Sequence, residues 1–514
     1  MLFLKFLLAM LPIIWLIAAL SGLKMAGHKA CVTAMLLTMV LAAGYWKLSA
    51  LCTVTAALEG VLNALWPICL VIIAALFTYN LTLKTGAMDL IKKMLATVSR
   101  DKRVLALMIG WGFGNFMEGM AGFGTAVAIP ASMLAGIGLD PVRAVLGCLV
   151  VNSTPTAFGS VGVPTVTLAS VTGTELLALS GDVVLIQFIL TFLSPFLMVC
   201  ICGKGIKALK GMLPMTLTAS LSFTVPWFLT ARFIGPELPD IIGSICSMGC
   251  MIAAAKIFNK EPDEAYAIES GEKGGNETIS AADGLKAWSS FLLIFLLLIF
   301  TSTLCPPVHQ AIAGIKSTVT VYAGEGGNAL SFSWINTPGV MILAAALIGG
   351  CIQGAAVSDM VSVFVETVKK YWKTVLTICS VMAAAKIMSY SGMISDIAKF
   401  LVAVTGSFYP FIAPLIGALG AFVTGSGTST CVLFGGLQSE TAAALGLDAS
   451  WMAAANVMGA GIGKMICPQG IAIGAGAIGA VGSESRILSA VLKFFLFYVI
   501  LAGIICYAGA CLGL

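Results

Sequence analysis

The sequence predicts an all-α polytopic membrane protein, built as an inverted-topology repeat with discontinuous (broken or re-entrant) helices. Three observations support this fold class. Of the 514 residues, 59% are hydrophobic and only 10% are charged, whereas soluble domains carry about 25% charged residues. Two apolar stretches, residues 114–170 and 420–472, are interrupted repeatedly by Gly, Pro, Ser, Thr and Asn. These stretches also share an ordered set of matching residues, which indicates a duplication.

The first half of the chain provides whole spans followed by broken ones. A helix that crosses the hydrocarbon needs about 20 apolar residues. Whole spans are predicted at 2–20, 31–46, 65–83 and 183–202, and broken segments at 104–117, 119–139 and 144–174. The loop over 84–103 is the most basic in the chain, so the positive-inside rule places it in the cytoplasm and the N-terminus outside.

A connector and a second set of spans follow. The connector holds two helices, at 214–231 and 241–255, and a polar segment at 256–286 that is predicted to be a solvated cytoplasmic loop. The second half offers spans or broken segments at 287–305, 336–357, 374–385, 400–439, 449–463, 465–483 and 494–514. Residues 306–335 are predicted to be an external loop and 369–373 a basic cytoplasmic loop. The total is about 12 or more transmembrane segments, with the C-terminus outside.

The internal repeat divides the chain into three parts. Gly114-x-Phe116-x-x-Gly119 matches Gly420-x-Phe422-x-x-Gly425, and the Gly-Leu-Asp at 138–140 matches that at 446–448. Further matches pair Asn152, Gly159 and Pro164 with Asn456, Gly463 and Pro468. Span 65–83 enters the cytoplasm whereas 374–385 leaves it, so the repeats run in opposite directions. Residues 1–202 form the first repeat, 203–286 the connector and 287–514 the second repeat. Glycine-rich membrane helices that are alike only in composition are the alternative.

Composition predicts neither a metal site nor a cofactor. Most of the 15 cysteines lie within apolar runs, where Cys packs as a small hydrophobe. With His28 and His309 as the only histidines, zinc-ligand spacing is absent. The small net charge of +5 does not suggest nucleic acid. Residues 2–20 lack a clear small-residue cleavage site, so no cleavable signal is predicted.

Paired broken helices in two halves of a membrane protein indicate the substrate site of a secondary transporter. The N-terminus of a broken helix presents free N–H groups and a partial positive charge, which suits a small anion. Each hydroxyl in these stretches has an alternative role in interhelical packing. The candidate substrate-binding residues are Gly122, Gly124, Thr125, Asn152, Ser153, Thr154, Ser426, Thr428, Ser429, Asn456, Lys464 and Gln469.

Two charged residues lie inside the broken stretches. A carboxylate is costly within the membrane, so Glu118 is predicted to couple transport to protons; a structural hydrogen bond and a Na⁺ ligand are the alternatives. Lys464 is expected to neutralise a substrate carboxylate or to pair with Glu118, unless it snorkels to the interface. Asp359 and Lys386 are weaker candidates.

Other functional classes lack their motifs. The chain has no Walker motif, no G-x-S-x-G elbow and no H-E-x-x-H. ATP is therefore not expected to drive it directly, and no enzyme activity is predicted because the sequence offers no nucleophile–base pair.

Four motifs together resemble the L-lactate permease family over almost the whole chain. They are FMEGMAGFGTAVAI at 116–129, NSTPTAFGSVGVP at 152–164, VLFGGLQ at 432–438 and NVMGAGIGKMICPQGIA at 456–472. The resemblance implies import of lactate, and often glycolate, through the bacterial inner membrane, generally with protons. It also implies that seven residues occupy the family's motif positions: Glu118, Gly122, Thr125, Asn152, Asn456, Lys464 and Gln469.

The second broken loop departs from the family's pattern. It has GSGTSTC where the family usually has GSDTSSN, so that Gly427 replaces an acid and Cys431 an amide; Cys467 and Gly470 replace usual serines. The sequence predicts proton symport of lactate or a similar short 2-hydroxycarboxylate. The departures leave open a sodium-coupled carboxylate carrier or an ion antiporter, and from another class a passive anion channel.

Overall fold

The computed structural model describes residues 2–19, 23, 25–122, 124–257, 264–268, 280–301, 305–327, 329–480 and 483–513. Within these residues the chain is mostly helical. The first half contains α1 (Leu2–Ile17), α2 (Gly27–Gly44), α3 (Ala50–Asn63), α4 (Leu70–Lys84), α5 (Ala87–Ala96), α6 (Lys102–Leu105), α7 (Gly114–Met120), α8 (Thr125–Gly136), α9 (Pro141–Val151), α10 (Gly159–Thr172) and α11 (Leu176–Cys202). Two π-helical segments, Ala64–Cys69 and Ala106–Phe113, lead into α4 and α7.

The remaining elements complete the connector and the second half. They are α12 (Leu213–Phe233), α13 (Pro239–Ile257), α14 (Ala281–Thr301), α15 (Pro306–Ala313), β1 (Lys316–Thr320), β2 (Ala329–Ser333), α16 (Pro338–Gln353), α17 (Val357–Ser391), α18 (Met393–Thr405), α19 (Tyr409–Thr424), α20 (Gly427–Leu445), α21 (Ala449–Lys464), α22 (Pro468–Ala477) and α23 (Glu484–Leu512). Short 3₁₀ turns occupy Pro155–Phe158, Ile206–Leu209, Glu264–Tyr266 and Gly406–Phe408.

Discontinuous helices recur in the same order in the two halves. In the first half α7 breaks into α8, and α9 breaks into α10, before the long helix α11; α19–α20, α21–α22 and α23 repeat this order. The matching Gly-Leu-Asp motifs build matching hairpins, because Gly138 and Gly446 both have positive φ. The aspartates that follow them, Asp140 and Asp448, cap α9 and α21 by accepting from the backbone N–H groups of Arg143 and Trp451.

The two repeats contact each other reciprocally. Gly474 of α22 packs against Val127 of α8, and Gly435 of α20 packs against Leu168 of α10. The half-helices α8 and α10 of the first repeat thus contact the half-helices α22 and α20 of the second repeat. An inverted-repeat relation between the halves predicts this exchange of contacts.

Eight helices among the described residues are long and apolar enough to cross a membrane, or nine if the bent pair α9–α10 is one span. Shorter apolar helices, α1, α8 and α16, account for further predicted segments. The total of about 12 or more segments expected from hydropathy is therefore reached only when half-helices are included.

The basic loop predicted over 84–103 is held against the connector by Arg103. Arg103 forms an ion pair with Asp101 at 2.7 Å, and its guanidinium also donates to the backbone oxygen of Ala208 at 3.1 Å. Residues 264–268 join this cluster, since Tyr266 lies 4.0 Å under the same guanidinium. Most of the polar segment predicted over 256–286 lies outside the described residues.

The structure corrects the predicted loop at 369–373. These residues lie inside α17, one continuous helix of 35 residues. No Gly or Pro occurs between Val357 and Ser391, and Lys and Glu are good helix formers. Charge therefore marks an exposed face of this helix and does not end it. Asp359 lies in its first turn.

The predicted external loop at 306–335 is also more ordered than expected. It contains α15 and an antiparallel hairpin in which Lys316 pairs with Ser333 and Thr320 with Ala329. The hairpin is tied to the bundle where the indole N–H of Trp66 donates to the Ser333 oxygen at 3.0 Å. Residues 47–64, which hydropathy left between spans, contain α3.

A second buried ion pair joins α3 to α17. The Lys386 ammonium lies 2.8 Å from Glu59 Oε1, and the Glu59 side chain is fully buried. The Tyr390 hydroxyl donates to the same carboxylate at 3.0 Å. Lys386, a weaker functional candidate in the sequence, thus forms an ion pair that holds two helices together.

Breaking this ion pair from one side is expected to destabilise the protein. Glu59→Gln leaves the Lys386 ammonium buried without its counter-charge, which costs about 3–5 kcal/mol. Thermal unfolding in detergent should show a lowered midpoint, and adding Lys386→Met should recover most of the loss. Asp89→Asn, which breaks the exposed Asp89–Lys92 pair, should change little. An unchanged midpoint for Glu59→Gln would contradict this role.

Candidate functional site

The helix breaks of both repeats meet around one small cavity of about 50 Å³. Its lining comes from both repeats and consists of Glu118, Gly122, Thr156, Gly159, Ser160, Pro164, Gly425, Ser426, Gly427, Thr428 and Lys464. The shared polar chamber that the paired broken stretches predict is therefore present.

Left-handed glycines create the two facing breaks. Gly122 and Gly124 have φ values of 59° and 86°, and Gly425 has a φ of 71°, a conformation that glycine adopts without strain. Hydroxyls then satisfy the freed backbone groups. Thr125 Oγ1 donates to the Gly122 oxygen at 2.7 Å, and Ser426 Oγ accepts from the Ser429 N–H at 3.2 Å.

The third break stores backbone strain. Ser160, Val161 and Gly162 have successive φ values of 48°, 59° and 77°. Non-glycine residues in this region cost about 1–3 kcal/mol each, and such strain clusters at functional sites. The Ser160 hydroxyl donates to the Ala121 oxygen at 3.0 Å, so this break is tied to the first one.

A buried ion pair forms the centre of the site. Lys464 Nζ lies 2.6 Å from Glu118 Oε1, and only 18% and 3% of the two side chains is exposed. The Asn152 amide donates to the other Glu118 oxygen at 3.1 Å, and the ammonium lies 3.4 Å from Thr156 Oγ1. The pairing alternative for Lys464 is the arrangement that the structure contains, and it joins the two repeats.

Asp240 is a second carboxyl beside this pair. It lies in the first turn of α13 and is 1% exposed, and it is close enough to interact electrostatically with both Glu118 and Lys464. The Trp227 indole N–H donates to its Oδ1 at 3.0 Å. Hydropathy placed Asp240 at the edge of a predicted span, so the sequence analysis missed it. It also missed Thr156 and Ser160, although both lie within the quoted NSTPTAFGSVGVP motif.

The other predicted residues lie at varying distances from the cavity. Gly122, Ser426 and Thr428 line it, whereas Gly124 packs against Ile473. Ser153 donates to its own helix, at the Val150 oxygen. Among the described residues, Thr154 Oγ1 has no hydrogen-bond partner.

Asn456 belongs to a separate polar cluster. Its side-chain oxygen accepts from Gln438 Nε2 at 3.4 Å, and Gln438 in turn accepts from the Tyr409 hydroxyl. The side chain of Gln469 lies against Gly425 at the edge of the second break. The roles of these residues in binding stay predictions.

The arrangement suits a small anion. Lys464 provides one positive charge, the Thr156, Ser426 and Thr428 hydroxyls provide hydrogen bonds, and α20 begins at the cavity with its N-terminal N–H groups. Gly427 leaves the backbone of this helix start accessible, since a Cβ there would lie only 3.2 Å from Thr156 Cγ2.

The chain is similar to known proteins along its whole length. A family model described as L-lactate permease matches residues 5–513. An L-lactate permease of Streptococcus iniae is 43% identical over 452 residues, which cover 87% of this chain and 93% of that protein. A glycolate permease of Escherichia coli is 33% identical, with 97% of this chain and 94% of that protein covered.

Two solved structures share the fold. The YdaH transporter of Alcanivorax borkumensis, described as having an unusual topology, superposes with a TM-score of 0.52 at 14% identity and covers 95% of this chain and 98% of its own. MtrF of Neisseria gonorrhoeae, described within a class of antimetabolite efflux pumps, gives 0.52 at 13% identity and covers 96% and 97%. At these identities the similarity concerns the fold alone.

A substitution at Gly159 tests whether the ion pair has room to rearrange. A Cβ at Gly159 would lie 2.6 Å from Glu118 Oε1, so Gly159→Ala must push the carboxylate away from Lys464. We expect this variant to lower the thermal midpoint by weakening a buried charge pair, a loss of up to about 3–5 kcal/mol. Gly476→Ala is the matched control, since a Cβ there has nothing within 4 Å. Equal midpoints for the two variants would contradict the packing.

Proposed function

This chain belongs to the L-lactate permease family, and we propose that it imports lactate or a similar short 2-hydroxycarboxylate by proton symport. The observation that carries the proposal is the Glu118–Lys464 pair, buried between the helix breaks of the two repeats. Relatives named for L-lactate and for glycolate support the substrate class, since both solutes are small 2-hydroxy monocarboxylates.

The residues around the cavity match the two functional groups of such a substrate. Its carboxylate is held by the Lys464 ammonium and by the N-terminal N–H groups of α20, and its 2-hydroxyl by the hydroxyls of Thr156 and Thr428. In this proposal, Asn152 and Ser426 provide further hydrogen bonds to the substrate. The cavity of about 50 Å³ holds no more than a few water molecules, since each needs at least about 10–15 Å³, and it is too small for the six non-hydrogen atoms of lactate. Substrate entry therefore needs the breaks to move apart.

Competition for Lys464 supplies the coupling. A substrate carboxylate that reaches the ammonium displaces Glu118 from its counter-charge. An unpaired carboxylate in a water-poor membrane site is too costly to stay ionised, so Glu118 takes up a proton. Substrate and proton then cross together, and loss of either one restores the original ion pair.

The repeats provide the movement. In our proposal the halves that meet at the α8–α22 and α10–α20 contacts rock or slide against each other and expose the site alternately to each side. A change of backbone conformation at the strained turn Ser160–Gly162 would relieve its strain, so this turn favours such a movement. The protein acts in the bacterial inner membrane, with the basic loop around Arg103 in the cytoplasm and both termini outside.

Uptake by purified protein in lipid vesicles tests the proposal. We expect accumulation of lactate against its gradient when only a pH gradient is imposed, and its loss when a protonophore is added. A panel of short carboxylates, with H⁺ and Na⁺ gradients varied independently, identifies substrate and coupling ion. Dependence on sodium at fixed pH would favour a sodium-coupled carrier or antiporter, and equilibration without accumulation would favour a channel.

Glu118→Gln separates coupling from binding. The amide keeps the shape of the side chain but cannot exchange a proton, so pH-driven accumulation should fall to the background of empty vesicles. Lactate counterflow between equal pH values should persist, within about threefold of wild type, because Lys464 remains. Glu440→Gln, an exposed acid on α20, should accumulate normally. Unimpaired accumulation in Glu118→Gln would show that another group carries the proton.

A further inference from the structure

Asp240 has half of its hydrogen-bonding capacity unused. Trp227 donates to Oδ1, but among the described residues Oδ2 has no partner. Around it, Phe158 packs edge-on against Trp227 with ring centroids 5.6 Å apart, so this side of the carboxyl is apolar. Among the described residues, the charged groups that interact with Asp240 are Glu118 and Lys464. A buried carboxyl in this setting needs either a cation of its own or a proton.

The cation is already engaged. Lys464 lies 2.6 Å from Glu118. Two carboxylates and one ammonium carry a net charge of −1 when all are ionised, and one bound proton makes the group neutral. Because Glu118 has the ammonium, the proton belongs on Asp240. The same balance needs one more proton when a monocarboxylate joins the group, and that proton accompanies the substrate.

Unpartnered polar side chains extend from Asp240 along the interface between α7 and α13. A Cβ at Gly119 would meet Asp240, and a Cβ at Gly112 would meet Met248, which fixes how the two helices align. Helical periodicity then places Asn115 opposite Ser244, one turn from Asp240. Asn115 and Ser244 are fully buried, and among the described residues their side-chain polar atoms have no partners. A row of polar side chains of this kind can relay protons along hydrogen bonds.

A surface cleft of about 360 Å³ lies beside the start of α13. Glu237 and Leu238, just before α13, line it together with His309 and Glu175. Burial raises the pKa of the Glu237 carboxyl to about 7, so near neutral pH this group both accepts and releases protons. The Pro236 carbonyl, in the same loop, lies against Gly162 in the strained break, which brings the cleft next to the site.

We propose that Asp240 is a second proton-binding carboxyl of the transport site, which takes protons from the Glu237 cleft and passes them to Glu118. This rests on the proposed proton symport. Asp240 gives its proton to the Glu118 carboxylate once substrate occupies Lys464. The Asp240 carboxylate that remains is then reprotonated from the cleft. No oxidant, metal or further reactant takes part.

Infrared difference spectroscopy tests protonation without relying on transport. At neutral pH the purified protein should show the C=O stretch of a protonated carboxyl, and Asp240→Asn should lack it. Trp227→Phe should keep the band but shift its frequency, because the indole hydrogen bond is lost. Asp396→Asn is the matched control: Asp396 also accepts from an indole, that of Trp46, but lies 3.7 Å from its own cation, Lys5. A spectrum of Asp240→Asn identical to wild type would overturn the proposal.

Transport assays test the relay itself. In Asp240→Asn we expect pH-driven lactate uptake to slow by about tenfold or more, a larger loss than that of counterflow at equal pH. Asp240→Glu should recover part of the uptake, and Asp396→Asn should behave as wild type. Normal pH-driven uptake in Asp240→Asn would overturn the relay, and equal loss of both activities would show a role in binding instead.

The two proposals fail in different ways. If wild-type protein does not accumulate lactate under a pH gradient, proton symport is wrong. The carboxyl band and its loss in Asp240→Asn would still decide whether Asp240 binds a proton. If wild type accumulates lactate but Asp240→Asn retains the band, symport stands and the second carboxyl does not.

Discussion

The buried ion pair between Glu118 and Lys464 is the interaction on which the arrangement of the two halves depends. An ionised side chain within a membrane protein needs a partner, and each member of this pair comes from a different repeat. The halves therefore cannot separate at this point unless another charge replaces the lost one. A buried pair of this kind adds little net stability compared with apolar packing. In the proposed mechanism, this pair makes the position of the halves sensitive to the arrival of an anion or a proton.

Close packing between α21 and α19 holds Lys464 in position at the end of a helix pair. Lys464 is the last residue of α21, whose Gly459 and Gly463 lie directly against the Pro414 and Ala418 carbonyls of α19. Small residues let two membrane helices approach this closely. In the proposed mechanism, α19 and α21 therefore move as one body. The freedom is concentrated in the glycine-rich breaks, where Gly122 and Gly425 turn the chain without strain.

The sequence predicted the features of the structure that depend on neighbouring residues. Glycines with hydroxyl neighbours gave the breaks at Gly122–Thr125 and Gly425–Ser426, and the paired Gly-Leu-Asp motifs gave the repeat, because turn and cap chemistry depend on adjacent residues. What it did not give depends on distant partners. Glu59 meets Lys386, and Asp240 meets Glu118 and Lys464, only after folding. The length of α17 is the exception: it is encoded locally by a stretch without Gly or Pro, but its lysines suggested a loop.

Two of the buried ion pairs, Glu59–Lys386 and Glu118–Lys464, show why position relative to a helix end decides what a charge pair does. Glu59 and Lys386 lie on helices that are continuous around them, with Tyr390 donating a further hydrogen bond to the carboxylate. Glu59 lies four residues before the end of α3 and Lys386 five residues before the end of α17, so each is a full turn from its helix end, and the pair holds α3 against α17. Glu118 lies two residues before the end of α7, and Lys464 ends α21. Each of these charges is attached where its helix stops, beside backbone that can be rearranged. In the proposed mechanism, the same chemistry that holds two helices together in one place therefore acts as a switch in the other.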